Sequence, residues 1–205
     1  MTTAIAIAFS VLLVLPMPAD SAVDDRMPRV RKTSEGFAFV AGEGPRVGRG
    51  ALRTYRVEVE PTAKVDVRWF TAVVEHILSD PRGWTAAERI SLRRVSRRPD
   101  MRIVLATPRT VDRICARAGL RTVGRLSCWS WPIAALNVTR WNRGAEAFPG
   151  PLRTYRRYLI NHEVGHGLGH RHRACPRRGA RAPVMQQQTL ATRPCRPNAW
   201  PTRDP

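Results

Sequence analysis

Apolar and polar positions alternate through Tyr55-Arg56-Val57-Glu58-Val59-Glu60, a period of two that predicts a half-buried strand ended by Pro61. The period then lengthens. Val65, Trp69, Val73 or Val74, and Ile77 fall on one stripe, which predicts a helix over 65–78 packed on a sheet. Asp80-Pro81-Arg82-Gly83 reads as a turn. Residues 90–95 and 101–106 predict two more strands, and 110–118 a short helix that begins just after Pro108. Residues 126–131 and 133–139 predict two strands broken at Pro132. A loop with Gly144, Pro149, Gly150 and Pro151 precedes a second long helix over 152–168. This order of elements, closing in an irregular tail rich in proline and arginine, describes a mixed α+β domain.

The pattern also sets the boundaries. Residues 4–16 are an apolar run with the length of a signal-peptide core, too short for an ordinary membrane span. Residues 1–22 are therefore expected to be a signal peptide or an N-terminal anchor, with Ala19-Asp20-Ser21 offering small residues for cleavage. Only Met1-Thr2-Thr3 precedes the run, without the usual basic residues. Residues 23–50, polar and basic with Gly42, Gly44, Gly48 and Gly50, read as a flexible linker. The folded domain is expected over 51–200, with 201–205 as a tail. No internal repeat is present.

The formal charge of +19 changes the picture of partners. It suits an anionic partner such as a cell-wall polymer. Because Lys32 and Lys64 are the only lysines and the arginines are spread along the chain, coding bias is the favoured reading, and no specific nucleic-acid interface is expected. Four cysteines, Cys115, Cys128, Cys175 and Cys195, favour an oxidising compartment. They allow three pairings, among which sequence does not choose; sequential pairing is the simplest.

The densest chemistry lies in His162-Glu163-Val164-Gly165-His166-Gly167-Leu168-Gly169-His170-Arg171-His172, which holds four of the five histidines. It fits H-E-x-x-H-x-x-G-x-x-H. His162 and His166, four apart on a helix, share one face and can reach one ion. Glu163 beside them suits a general base. Gly169 can adopt positive φ and turn the chain so that His172 returns as a third ligand. Three protein ligands leave a position for water, the mark of a catalytic rather than a structural zinc site. His170, immediately after the turn, has less room to swing back and is read as a neighbour of the site or a surface group. His76, on the polar side of the first helix, is read as surface.

The long motif resembles that of the metzincin zinc endopeptidases. The resemblance implies a twisted mixed sheet with two long helices, a zinc helix ending at a glycine turn, and a small irregular C-terminal part. It also implies a methionine turn under the metal, for which Ala182-Pro183-Val184-Met185-Gln186 is suited, and an edge strand within 126–131 that an extended peptide pairs with. More closely, Tyr158 to His166, Ala182 to Thr189, Cys195-Arg196-Pro197-Asn198 and Asp80-Pro81-Arg82-Gly83-Trp84 are similar to an uncharacterised family of exported actinobacterial proteins. Two features depart from the metzincin pattern. Gln187 stands where some members place a tyrosine that assists at the metal, and Gly165, Gly167 and Gly169 crowd the end of the zinc helix. Tyr155 and Tyr158 read as core.

These readings converge on an exported, monomeric endopeptidase with one Zn2+ held by His162, His166 and His172. Glu163 is its base, Gly169 and Met185 its structural supports, and a peptide or protein its substrate. A non-catalytic zinc-containing envelope protein that binds anionic partners through its arginines, and a zinc amidase acting on cell-wall peptides, are the alternatives.

Overall fold

The computed structural model describes residues 28–205; the leader or anchor expected over 1–22 lies outside them. Strands β1 (Val30–Lys32), β2 (Ala38–Val40), β3 (Val47–Gly48), β4 (Ala51–Val59), β5 (Ile90–Arg94), β6 (Met101–Ala106), β7 (Cys128–Ser130) and β8 (Ile133–Asn137) form one sheet. The main path runs β1-β2-β4-β6-β8-β7, with β3 joined through β5 to β4. Strands β4, β5, β6 and β8 pair in parallel, whereas β1, β2, β3 and β7 pair antiparallel. The helices are α1 (Val67–Leu78), α2 (Trp84–Ala87), α3 (Pro108–Ala116), α4 (Val138–Arg143) and α5 (Leu152–Gly167). The domain is thus α+β with a mixed sheet, as the order of periodicities predicts.

Alternation along the strands sorts the core into two layers. Val57 and Val59 of β4, Ile103 and Leu105 of β6, and Ala134 and Leu136 of β8 join the cluster that contains α1 and α5. Val104, Ala106 and Ala135 instead pack with Val111 and Ile114 of α3. Burying each larger aliphatic side chain contributes about 1.5–3 kcal/mol. The α3 side also holds a charge: Glu58, fully buried, accepts from Arg56 Nε at 2.8 Å and from Arg102 Nε and Nη2 at 2.7 Å each. Such burial is tolerable only because every carboxylate oxygen is paired.

Four expectations require correction. Residues 28–50 are no linker: they supply β1, β2 and β3, and β2 pairs with β4 through Ala38↔Val59 and Phe39↔Glu58. Glycines at turns, and strands of only two or three residues, leave no readable period there. The stripe of α1 is rotated, burying Val67, Phe70, Thr71, Val74, Ile77 and Leu78 and leaving Trp69 46% exposed. The Asp66 side chain, accepting from Trp69 N at 2.7 Å, caps α1 and sets its start. The strand expected to reach residue 139 ends at Asn137, whose side chain accepts from Thr139 N at 2.9 Å and begins α4. Finally, 201–205 is not a loose tail. Thr202 Oγ1 donates to Arg82 O at 2.9 Å, and Asp204 Oδ1 accepts from Val184 N at 2.7 Å.

Two disulfides complete the frame in the sequential pairing. Cys115–Cys128 ties α3 to β7, and Cys175–Cys195 clasps the C-terminal loops. Among the described residues no helix is long and apolar enough to cross a membrane.

Candidate metal centre

Helix α5 packs against β8 and carries His162, Glu163 and His166 toward the edge of the sheet that β7 forms. Gly169 then turns the chain at φ +101°, with His170 N donating to Gly165 O at 2.9 Å, and His172 comes back beside the helix. The ligand-capable nitrogens of His162, His166 and His172 all lie within 4.8 Å of one another. His170 stays outside that group, as expected, and His76 is exposed.

Two of the imidazoles are held by main-chain carbonyls. His162 Nδ1 faces Val184 O at 2.9 Å, and His166 Nδ1 faces His170 O at 2.8 Å. A carbonyl can only accept, so each Nδ1 carries the proton and each Nε2 presents a lone pair. His166 Nε2 and His172 Nε2 are 3.1 Å apart. Two nitrogens bound to one zinc ion at ~2.0–2.1 Å lie at about this separation. Burial pushes the His162 imidazole down to about 3 and also lowers His166 and His172, so all three are neutral at ordinary pH, the form that ligates.

Glu163 supplies the second half of the fit. It is buried, its Oε2 has no hydrogen-bond partner, and desolvation pushes its carboxyl up to about 8. A buried, orphaned carboxylate oxygen lining the same cleft as three converging imidazoles is costly alone and would be satisfied by a cation with its water. The residues present therefore fit a divalent metal.

The support beneath the site comes from 183–188. Gln186 N donates to Pro183 O at 2.9 Å, closing a turn with Val184 and Met185 at its centre. The Val184 carbonyl orients His162, while Met185, 1% exposed, packs under Gly165. A Cβ on Gly165 would stand 2.5 Å from Met185 Sδ and 2.6 Å from Trp84 Cζ2, so this glycine is fixed by contact rather than by turn geometry. Gly167 has a parallel reason: an added Cβ would meet Trp129 of β7 at 3.0 Å. Tyr158 is core, but its hydroxyl donates to Gln186 O at 3.0 Å and accepts from Gln188 N at 2.9 Å, bracing the same turn.

The sequence reading missed Trp84, Glu88 and Asp204. Trp84 Nε1 donates to Asn161 O at 2.9 Å, and its ring stacks on His170 with centroids 4.5 Å apart. Glu88 bonds His170 Nε2. Asp204 bonds both Val184 N and Asn198 Nδ2. Only Trp84 had a signal, as the residue closing the Asp80 to Trp84 turn.

The site opens into a cleft of about 390 Å³. Trp129 of β7, Leu126, Leu190 and Gln187 are among its lining residues. Among the described residues strand β7 is an edge strand of the sheet, paired with β8 alone.

A family model described as "Protein of unknown function (DUF3152)" matches residues 24–198. No curated protein and no solved structure matches the chain.

Proposed function

The chain belongs to the DUF3152 family, and we propose that it is an exported zinc endopeptidase of metzincin type. One observation carries this reading: a buried Glu163 carboxylate with one unpartnered oxygen lines the same open cleft as three imidazoles whose nitrogens converge. A structural metal site has no use for that carboxylate. The two disulfides suit an extracytoplasmic location.

His162, His166 and His172 would hold the ion. Bound there, zinc would supply a Lewis acid and lower the pKa of a water toward about 7. Glu163 takes the proton from the attacking water and delivers it to the leaving amine. Its carboxyl, at about 8 when desolvated alone, moves down beside a cation, which leaves it ionised and ready to accept. Gln187, exposed on the cleft, presents an amide donor where a tyrosine was the expected helper. The outer edge of β7 receives the substrate as an added strand. The sheet would then be the twisted metzincin type.

Metal analysis of the full chain, with a peptide-library digest of wild type and Glu163→Gln, tests the proposal. Zinc near one equivalent in both proteins, with cleavage reduced at least a thousandfold in the variant, is expected. Equal cleavage by both would remove Glu163 as the base. Bound zinc without cleavage of any peptide would point to a binding protein of the cell envelope. Cleavage confined to cell-wall peptides would make the enzyme an amidase.

A further inference from the structure

The cleft does not end at the imidazoles. Leu126, Thr189 and Leu190 line it and also line a neighbouring hollow that contains Arg125, Arg140 and Glu146, so the two adjoin. Three features of the cleft and its neighbouring hollows point to one kind of occupant. First, large aliphatic side chains stand bare there: Leu120, which lines the cleft, is 45% exposed, and Leu190, which lines both cleft and hollow, is 54% exposed. Large aliphatic groups left in water at a concave site mark a place for an apolar ligand group. Second, Arg121, Arg125 and Arg193 are exposed around the cleft and its extensions, and none of them pairs with a carboxylate among the described residues. Third, Arg140 has no such partner either. Its Nε and Nη1 donate to the carbonyls of Arg125 and Gly144, which fixes the guanidinium at the floor of the hollow. Apart from Glu163, Glu146 is the only acidic residue lining either space.

We propose that this cleft selects acidic polypeptides, seating an apolar side chain against Leu126 and Leu190 and the carboxylates that follow it against Arg125 and Arg140. The inference rests on the endopeptidase reading only for the cleft being a peptide site. Fixed positive charge there attracts acidic chains and rejects basic ones, and its effect weakens with salt. Two carboxylates meeting exposed or half-exposed arginines amount to about a tenfold gain in affinity.

Binding separates this proposal from catalysis. Fluorescein-labelled peptides carrying Leu-Glu-Glu, Leu-Gln-Gln or Leu-Lys-Lys are titrated by fluorescence polarisation into the zinc-loaded full chain bearing Glu163→Gln. The Leu-Glu-Glu peptide is expected to bind about tenfold more tightly than Leu-Gln-Gln, with Leu-Lys-Lys weakest and the spread narrowing at high salt. Arg125→Glu, at an exposed side chain, is expected to reduce or invert that order, and Ala in place of the peptide Leu to weaken all three. Equal affinity for the Glu and Gln peptides would overturn the proposal. So would displacement by inorganic polyphosphate together with indifference to the peptide Leu, which would mark a surface reading charge alone. Acid-selective binding with no cleavage by wild type would leave the inference standing and remove the endopeptidase reading.

Discussion

The backbone carbonyl of His170 accepts from His166 Nδ1 at 2.8 Å, so the histidine outside the cluster orients one within it. The His170 ring is gripped between Trp84, 4.5 Å away and stacked, and the Glu88 carboxylate. The turn that Gly169 makes after α5 is therefore also held from outside, by α2 and the residue just beyond it.

Loosening that grip should be felt at the metal. Glu88→Ala and His170→Ala are expected to weaken metal affinity by about tenfold, the lower end of what outer partners of ligating histidines contribute. Competition with a chromophoric chelator measures it. Affinity unchanged in both variants would show that the turn holds itself.

Gly165→Ala should destabilise the protein by about 1–3 kcal/mol, since the new methyl group must displace Met185 Sδ or the Trp84 ring inside a filled core. Gly167→Ala should cost less, because Trp129 is only partly buried and can move. Thermal unfolding of the two variants decides the order; equal shifts would mean that Trp129 is as fixed as Met185.

Removal of the metal should expose opposing pH dependences. In chelator-stripped protein the folded-state values of His162, His166 and His172 lie below the unfolded value of 6.5. The unfolded chain then binds more protons in acid, and stability falls as pH drops below about 6.5. Glu163 acts the other way: its carboxyl is raised from 4.5 to about 8, so burial costs stability as pH rises between those values. Glu163→Gln should therefore stabilise the stripped protein at pH 9, by at most about 5 kcal/mol, and change it far less near pH 5. Denaturant midpoints across this range check the sign. With metal present, release in acid should track protonation of the three ligands.

Breaking Cys115–Cys128, by Ser at both positions, should cost about 3 kcal/mol for a loop of this size. The loop it closes carries Leu120, Arg121, Leu126 and Ser127 of the cleft wall. Peptide KM is expected to rise more than kcat falls. The reverse split would mean that the wall supports the chemistry rather than the binding.

How much of this was legible depended on whether the cause was local. The spacing of His162, Glu163, His166, Gly169 and His172 is a property of one helix and one turn, and the structure brings together the histidines that it singles out. The strands β4, β6 and β8 announce themselves through apolar residues facing helices. Strands β1 to β3 do not, because two or three residues are too few to show a period, and β2 and β3 take their pairing from β4 and β5. The partners of the imidazoles were hidden for a different reason. Val184 O and His170 O are main-chain atoms, and no residue type signals them. Asp204 and Glu88 reach the site only through tertiary contact, so nothing in their neighbourhoods marks them.

The N-terminal strands also serve as a cover. β2 occupies the flank of β4 at Glu58 and Val59, and β1 in turn lines β2. A chain begun at residue 51 would present the hydrogen-bonding groups of an apolar strand to its neighbours. Self-association is the expected fate of such a chain. A chain that keeps Val30 to Val40 keeps that flank covered and should stay dispersed.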